Sequence, residues 1–208
     1  MSSIVGVDFD NTIVSYDDIM HSVAAQLGLI HRDVEKSKRL IRDKIRQMPK
    51  GEVEWQKLQA IMYGQRMEEA RLIDGAGRFL ELCKQHNTAV YIISHKTEYA
   101  NYDETGTNLR EAALTWMKER KFFEADGLGL SQRHVYFEWT RRAKIERIRH
   151  LKCTHFIDDL EETFLEDSFP ANVEKILYAP HMQHPFPRNV RVFTTWEEIS
   201  HYFFSPRG

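Results

Sequence analysis

The stretch Ile4-Val5-Gly6-Val7-Asp8-Phe9-Asp10-Asn11-Thr12 runs from a short apolar strand signal straight into two acids, and its reading decides the fold. Side chains alternate along a strand, so Asp8 and Asp10, two apart, lean to the same side of the point where strand gives way to loop. Like charges that close are unfavourable unless a cation or a shared proton relieves them. Mg²⁺ takes oxygen ligands and usually only one or two carboxylates, so the pair reads as half of a magnesium site. The same string is also turn and helix-cap chemistry, which Asp, Asn and Thr all serve. On this segment alone both readings stand.

The rest of the chain narrows the choice. Its 208 residues suit one sizeable core with a small lobe attached, and hardly two full domains. With 42% hydrophobic and 29% charged residues the composition is that of a soluble globular protein, and a formal charge of -2 supplies no field for nucleic acid or a membrane surface. Small, local partners are expected instead. The strand follows Met1-Ser2-Ser3 directly, without the basic segment and long apolar stretch of a signal peptide, so a cytoplasmic protein is expected. Cys83 and Cys153 fall within predicted elements and lack metal-ligand spacing, which fits reduced structural thiols.

Beyond the acids the pattern turns helical for a long way. Val34, Ile41, Ile45 and Met48 keep helical spacing in a heavily charged segment, and Trp55, Leu58 and Met62 do so after Pro49-Lys50-Gly51. Residues 16–72 therefore read as a helical insert and mobile lid, a cap, with the α/β core at 1–15 and 73–208. The charge run Ser37-Lys38-Arg39 through Arg46 reads as its solvated face, with attraction of an anionic substrate as the alternative. From Gly75 strands and helices alternate. A helix with Phe79, Leu80 and Cys83 precedes the strand Ala89 to Ile93, which ends at Ser94-His95-Lys96-Thr97. A helix with Leu109, Ala113, Trp116 and Met117 starts at Asn108, with Glu111 three residues on. Then come a strand from Val135 to Trp139, a helix with Ile145 and Ile148, the strand Thr154 to Ile157 ending in Asp158-Asp159, a strand from Val173 to Tyr178, and a last helix from Trp196 to Phe203. This alternation predicts a Rossmann-like, three-layer α/β fold with a parallel sheet, whose ligands bind beyond the carboxyl ends of the strands.

Asp8 with Asp10, Ser94, and Asp158 with Asp159 each end a different apolar run, and parallel strands bring such ends onto one rim. A cluster that is to hold a phosphate also needs a cation. Lys152 precedes its strand and so falls at the opposite edge. Lys144 sits in the first turn of the helix after Trp139, and helical side chains point back toward the amino end, so its ammonium can reach the rim. Lys96 is held in reserve.

Taken together, GVDFDNT, YIISHKT, Lys144 and HFIDDLEET resemble, in order, the motifs of the haloacid dehalogenase superfamily, over residues 4 to about 162. The resemblance implies that Asp8 is a nucleophile and Asp10 the general acid and base. It implies that Ser94 and Lys144 bind phosphate, and that Asp8, Asp10, Asp158 and Asp159 form a Mg²⁺ site. The implied activity is a Mg²⁺-dependent phosphomonoesterase acting through an aspartyl-phosphate on a small phosphorylated metabolite. Dehalogenases of the family typically lack the second aspartate, because halide leaves without a proton. A phosphomutase or phosphotransferase of the same superfamily, or a silent binding module, are the alternatives. The cap would match 16–72.

Other signals are weaker. His95 reads as a satisfied histidine at a strand end, with substrate contact as the alternative. The loop from Glu98 to Gly106, rich in Tyr99, Asn101, Tyr102 and Asp103, is longer than a minimal connection, and reads equally as a specificity loop or an ordinary polar turn. His181 and His184 among Pro180, Pro185 and Pro187 read as an irregular loop with too few ligands for a metal. Trp116 and Trp139 read as core aromatics.

Overall fold

A computed structural model describes residues 3–181 and 189–205. His184, Pro185 and Pro187 lie outside the described residues. The elements in chain order are β1 (Ile4–Val7), β2 (Val14–Ser15), α1 (Asp17–Gln26), α2 (Lys38–Arg46), α3 (Gly51–Ala60), β3 (Arg71–Leu72), α4 (Ala76–Gln85), β4 (Ala89–His95), α5 (Leu109–Glu119), β5 (Val135–Glu138), α6 (Arg141–His150), β6 (His155–Asp158), α7 (Glu161–Leu165), β7 (Glu174–Tyr178), β8 (Arg191–Phe193) and α8 (Trp196–Phe204). The chain divides into two compact units. One comprises Met1–Val14, Leu72–Lys96 and Lys121–Gly208, and the other Ser15–Arg71 and Thr97–Arg120.

The first unit is built on a six-stranded sheet in the order β5-β4-β1-β6-β7-β8, parallel at every pairing. It is an α/β fold of the Rossmann-like kind that the strand-helix alternation predicts. Alternation along the strands divides the apolar side chains between two faces. Ile93, Phe156 and Leu177 pack with Ile145 and Ile148 of α6 and Phe164 of α7 in one cluster. Tyr178, next to Leu177 and so on the opposite face, packs its ring 5.8 Å from Trp196 of α8, which lies 5.0 Å from Phe79 of α4. Both helix layers therefore have an apolar reason to cover the sheet. Gly6 sits where only a glycine fits: a Cβ there would lie 2.6 Å from the buried ring of Phe156.

The second unit is helical. Ile41 and Ile45, four apart on α2, are buried while Asp43, Lys44 and Arg46 are exposed, so the charge run is a solvated face. Helix α2 is shorter than the apolar spacing predicts and leaves out Val34 and Met48. The unit also contains a helix that the sequence reading assigns to the α/β core. Helix α5 is capped by Asn108, whose side chain accepts from the amides of Arg110 and Glu111. Its Trp116 is buried and donates through Nε1 to the carbonyl of Ala70 at 2.8 Å. Arg120 stacks on that indole at 4.3 Å and donates to the carbonyls of Glu68 and Ala70. Capping and amphipathic spacing are local signals, and they do not say which partner the apolar stripe meets. The division thus departs from 16–72 by including 97–120. In the loop before α5, both carboxylate oxygens of Asp103 accept hydrogen bonds, from Thr105 and from the amide of Thr107, so this segment is a built turn.

Trp139 also corrects its expectation. β5 ends at Glu138 and Thr140 caps α6, so Trp139 falls in the joint and is 56% exposed, whereas Trp116 is 1% exposed.

Candidate active site

Backbone turns come first. After β1 the chain folds tightly on itself: the amides of Ile13 and Val14 donate to the carbonyl of Phe9, and the amide of Asn11 donates to Val14. Asn11 takes a left-handed conformation, φ 62°, which Asn tolerates better than most side chains. The amide of Asp8 donates to the carbonyl of Ile157 at 2.9 Å, tying the first acidic segment to the second. Thr12 strengthens that tie. Its fully buried hydroxyl accepts from the amide of Asp159 at 3.1 Å and lies 3.4 Å from an oxygen of the same carboxylate, while its carbonyl accepts from the indole of Trp196. Turn chemistry and acidic cluster, alternatives in the sequence, are both present in one loop.

Within this frame Asp8, Asp158 and Asp159 each offer a carboxylate oxygen within 4.8 Å of the others. Lys144 stands between two of them, 2.7 Å from Asp8 Oδ1 and 2.7 Å from Asp158 Oδ2. It reaches them as the helix-start argument requires: Thr140 caps α6 by accepting from the amide of Ala143, and the amide of Lys144 donates to the Thr140 carbonyl, closing the first turn. All three side chains of this bridge are buried. Burial pushes the Asp8 carboxyl up to about 6, aided by Asp158 and Asp10 and opposed by Lys144. Burial alone would lower the Lys144 ammonium, but Asp158 and Asp8 outweigh it and hold it above its ordinary value. One ammonium serves two carboxylates, so it gains from both while each receives only a share.

Asp10 goes elsewhere. Its carboxylate pairs with Lys96, at 2.8 Å from Oδ2 and 3.1 Å from Oδ1, with the lysine side chain 2% exposed. The carboxylate group thus joins three of the four acids named from sequence, and the fourth makes its own ion pair beside them. Ser94 is buried on β4 two residues beyond Ile92, which registers with Val7, so it reaches the same rim. His95 donates from Nε2 to the carbonyl of Trp139 at 3.0 Å, and burial lowers its pKa. The carbonyl can only accept, so that nitrogen carries the proton. Lys96 and Thr12 are the two site residues that sequence reasoning undervalued. Lys96, the reserve lysine of the sequence reading, follows Ser94 by two residues, as Asp10 follows Asp8.

A divalent cation fits the donor set. The oxygen ligands are hard, and the four carboxylates, when ionised, exceed the two ammonium groups by two charges.

A parallel α/β sheet carries an acid-and-lysine cluster at its carboxyl rim, and solved structures share this fold. The fold matches a HAD family hydrolase from Deinococcus radiodurans with bound phosphate and sodium, at TM-score 0.57 and 16% identity over 97% of this chain and 95% of that one. It matches a protein from Lactobacillus delbrueckii described as a phosphoglycolate phosphatase, at TM-score 0.59 and 12% identity over 99% and 100%. It also matches an L-2-haloacid dehalogenase, at TM-score 0.57 and 11% identity over 97% and 98%. No protein-family profile and no curated protein matches the chain. The chain has the fold of the haloacid dehalogenase superfamily hydrolases.

Proposed function

We propose that the protein is a Mg²⁺-dependent phosphomonoesterase acting through an aspartyl-phosphate on Asp8, with a small phosphorylated metabolite as substrate. The observation that carries this reading is the second carboxylate, Asp10, held beside Asp8 by its own lysine at 2.8 Å. Displacement of an alkoxide calls for a proton donor at the leaving oxygen, whereas displacement of halide does not. Solved structures of this fold include proteins described as a phosphatase and as a dehalogenase, so fold does not choose between them and the site must.

In this reading an Asp8 oxygen attacks phosphorus and the ester P–O bond breaks, splitting one slow step into two. Asp10 gives its proton to the leaving oxygen. Asp10, now ionised, takes a proton from water as that water attacks the phosphorus, releasing inorganic phosphate and restoring the Asp8 carboxylate. Lys144 offsets charge at Asp8 and the incoming phosphate, and Ser94 offers a hydroxyl donor. Asp8, Asp158 and Asp159 would hold Mg²⁺, which would neutralise charge on the phosphoryl oxygens.

The test is phosphate release from a panel of alkyl and aryl phosphate esters, with Mg²⁺ and with EDTA, in the wild type and in Asp8→Asn. Turnover that needs Mg²⁺ and disappears in a folded Asp8→Asn variant is expected. More than a few per cent of residual activity in that variant would remove Asp8 as nucleophile.

A further inference from the structure

We propose that Lys96 is the positioning residue for Asp10: its buried ammonium fixes the direction of the Asp10 carboxylate, so that proton transfer there depends on Lys96 while attack by Asp8 does not. The proposal rests on the phosphatase reading above.

Three observations carry it. Lys96 contacts both oxygens of one carboxylate, at 2.8 and 3.1 Å, and a carboxylate gripped through both oxygens is restrained in the direction it faces. The lysine is itself locked. Its amide donates to the carbonyl of Glu138 at 2.9 Å, extending the β4–β5 pairing past His95, and its Nζ stands 5.8 Å from the ring of Phe9, the residue between the two acids. The two ammonium groups of the site also divide their work, Lys144 bridging Asp8 and Asp158 and Lys96 gripping Asp10. Stability gives a poor account of such a pair, because the desolvation of a buried ion pair roughly cancels its attraction. Orientation gives a better one, since a general acid must point within hydrogen-bond reach of the oxygen it protonates.

The consequence is selective. A p-nitrophenolate leaving group departs without a proton, so the first step on p-nitrophenyl phosphate bypasses Asp10, whereas a primary alkyl phosphate needs it. The experiment measures both esters with Mg²⁺ in the wild type, Lys96→Met, Lys96→Arg and Asp10→Asn, and in the Lys96→Met/Asp10→Asn double variant. The aryl burst is followed in pre-steady state. Lys96→Met should lower kcat/KM on the alkyl ester roughly tenfold more than the aryl burst rate, a fraction of the 10² or more that general acid catalysis supplies. In the Asp10→Asn background the same change should add less than about twofold, because residues that act as a unit are not additive. Lys96→Arg keeps the charge and should show a smaller loss, again confined to the alkyl ester. If Lys96→Met fails to fold, the Lys96→Arg comparison decides alone. Equal losses on both esters, or a full further loss in the Asp10→Asn background, would overturn the proposal while leaving the phosphatase reading intact. Absence of phosphate release from either ester by the wild type would overturn both.

Discussion

Replacing Lys144 with Met removes one charge from the most buried part of the site and keeps a side chain of similar length. At 2.7 Å and an effective dielectric constant of about 20, each carboxylate contact is worth about 6 kcal/mol of gross attraction. Most of that is cancelled by the desolvation of the lysine, which the variant no longer has to bear. The residual penalty comes from what stays behind, Asp8 and Asp158, buried and no longer compensated. Breaking a buried pair in this way costs about 3–5 kcal/mol. The cost depends on pH, and its sign follows from Asp8. In the folded protein its carboxyl is pushed up to about 6 against an ordinary 3.8, so folding favours the protonated form. The stability this provides is complete below 3.8 and lost as pH rises through about 6, roughly 3 kcal/mol at 1.36 kcal/mol per pH unit. Without Lys144 the folded value climbs further, and the loss continues at higher pH. Urea unfolding followed by tryptophan fluorescence in EDTA, at pH 5 and pH 8, reads both effects. The variant should lose about 3–5 kcal/mol at pH 8 and at least about 1 kcal/mol less than that at pH 5. A loss below about 1 kcal/mol at pH 8, or one independent of pH, would refute the view that Lys144 is the charge that makes this buried cluster tolerable.

Three further outcomes follow from the packing. Gly6→Ala drives a methyl into Phe156, which is fully buried, and should cost about 1–3 kcal/mol in the same unfolding assay. Cys83 and Cys153, whose thiols burial pushes up to about 12, should resist Ellman's reagent at pH 8 in the native protein and react at once in denaturant. Excising residues 16–71 alone should yield an aggregating protein, because Ala70 leaves with the segment and Trp116 loses its carbonyl partner while α5 keeps its apolar stripe; a soluble truncated core by size-exclusion chromatography would contradict that.

The sheet was legible because each of its inner strands announces itself locally. Ile4 to Val7 and Ala89 to Ile93 are apolar runs that end in polar residues within one position of each other in the register, and parallel topology turns that repetition into one rim. Lys144 was legible for a similar reason, since helix geometry fixes where a first-turn side chain points. β8, only Arg191–Phe193, is too short to carry a periodic signal. Helix α5 was visible as a helix and misplaced as a member of the core. Its destination depends on Ala70 and Glu68, more than forty residues away, and no local pattern encodes such a pairing. Trp139 failed in the opposite sense, for a large aromatic after an apolar run suggests burial until the strand is seen to end one residue sooner.

Lys96 shows the limit most clearly. Counting residues along β4 puts Ser94 and Lys96 two apart as the chain leaves the sheet, just as Asp8 and Asp10 are two apart beyond the end of β1. Geometry therefore gave Lys96 a claim on the rim as good as that of Lys144. What the sequence did not contain was the assignment of partners: two lysines and four carboxylates can pair in several ways, and only the three-dimensional arrangement assigns Lys144 to Asp8 and Asp158 and Lys96 to Asp10. That assignment separates a charge beside Asp8 and Asp158 from a charge beside Asp10, a distinction that the residue types alone leave undrawn.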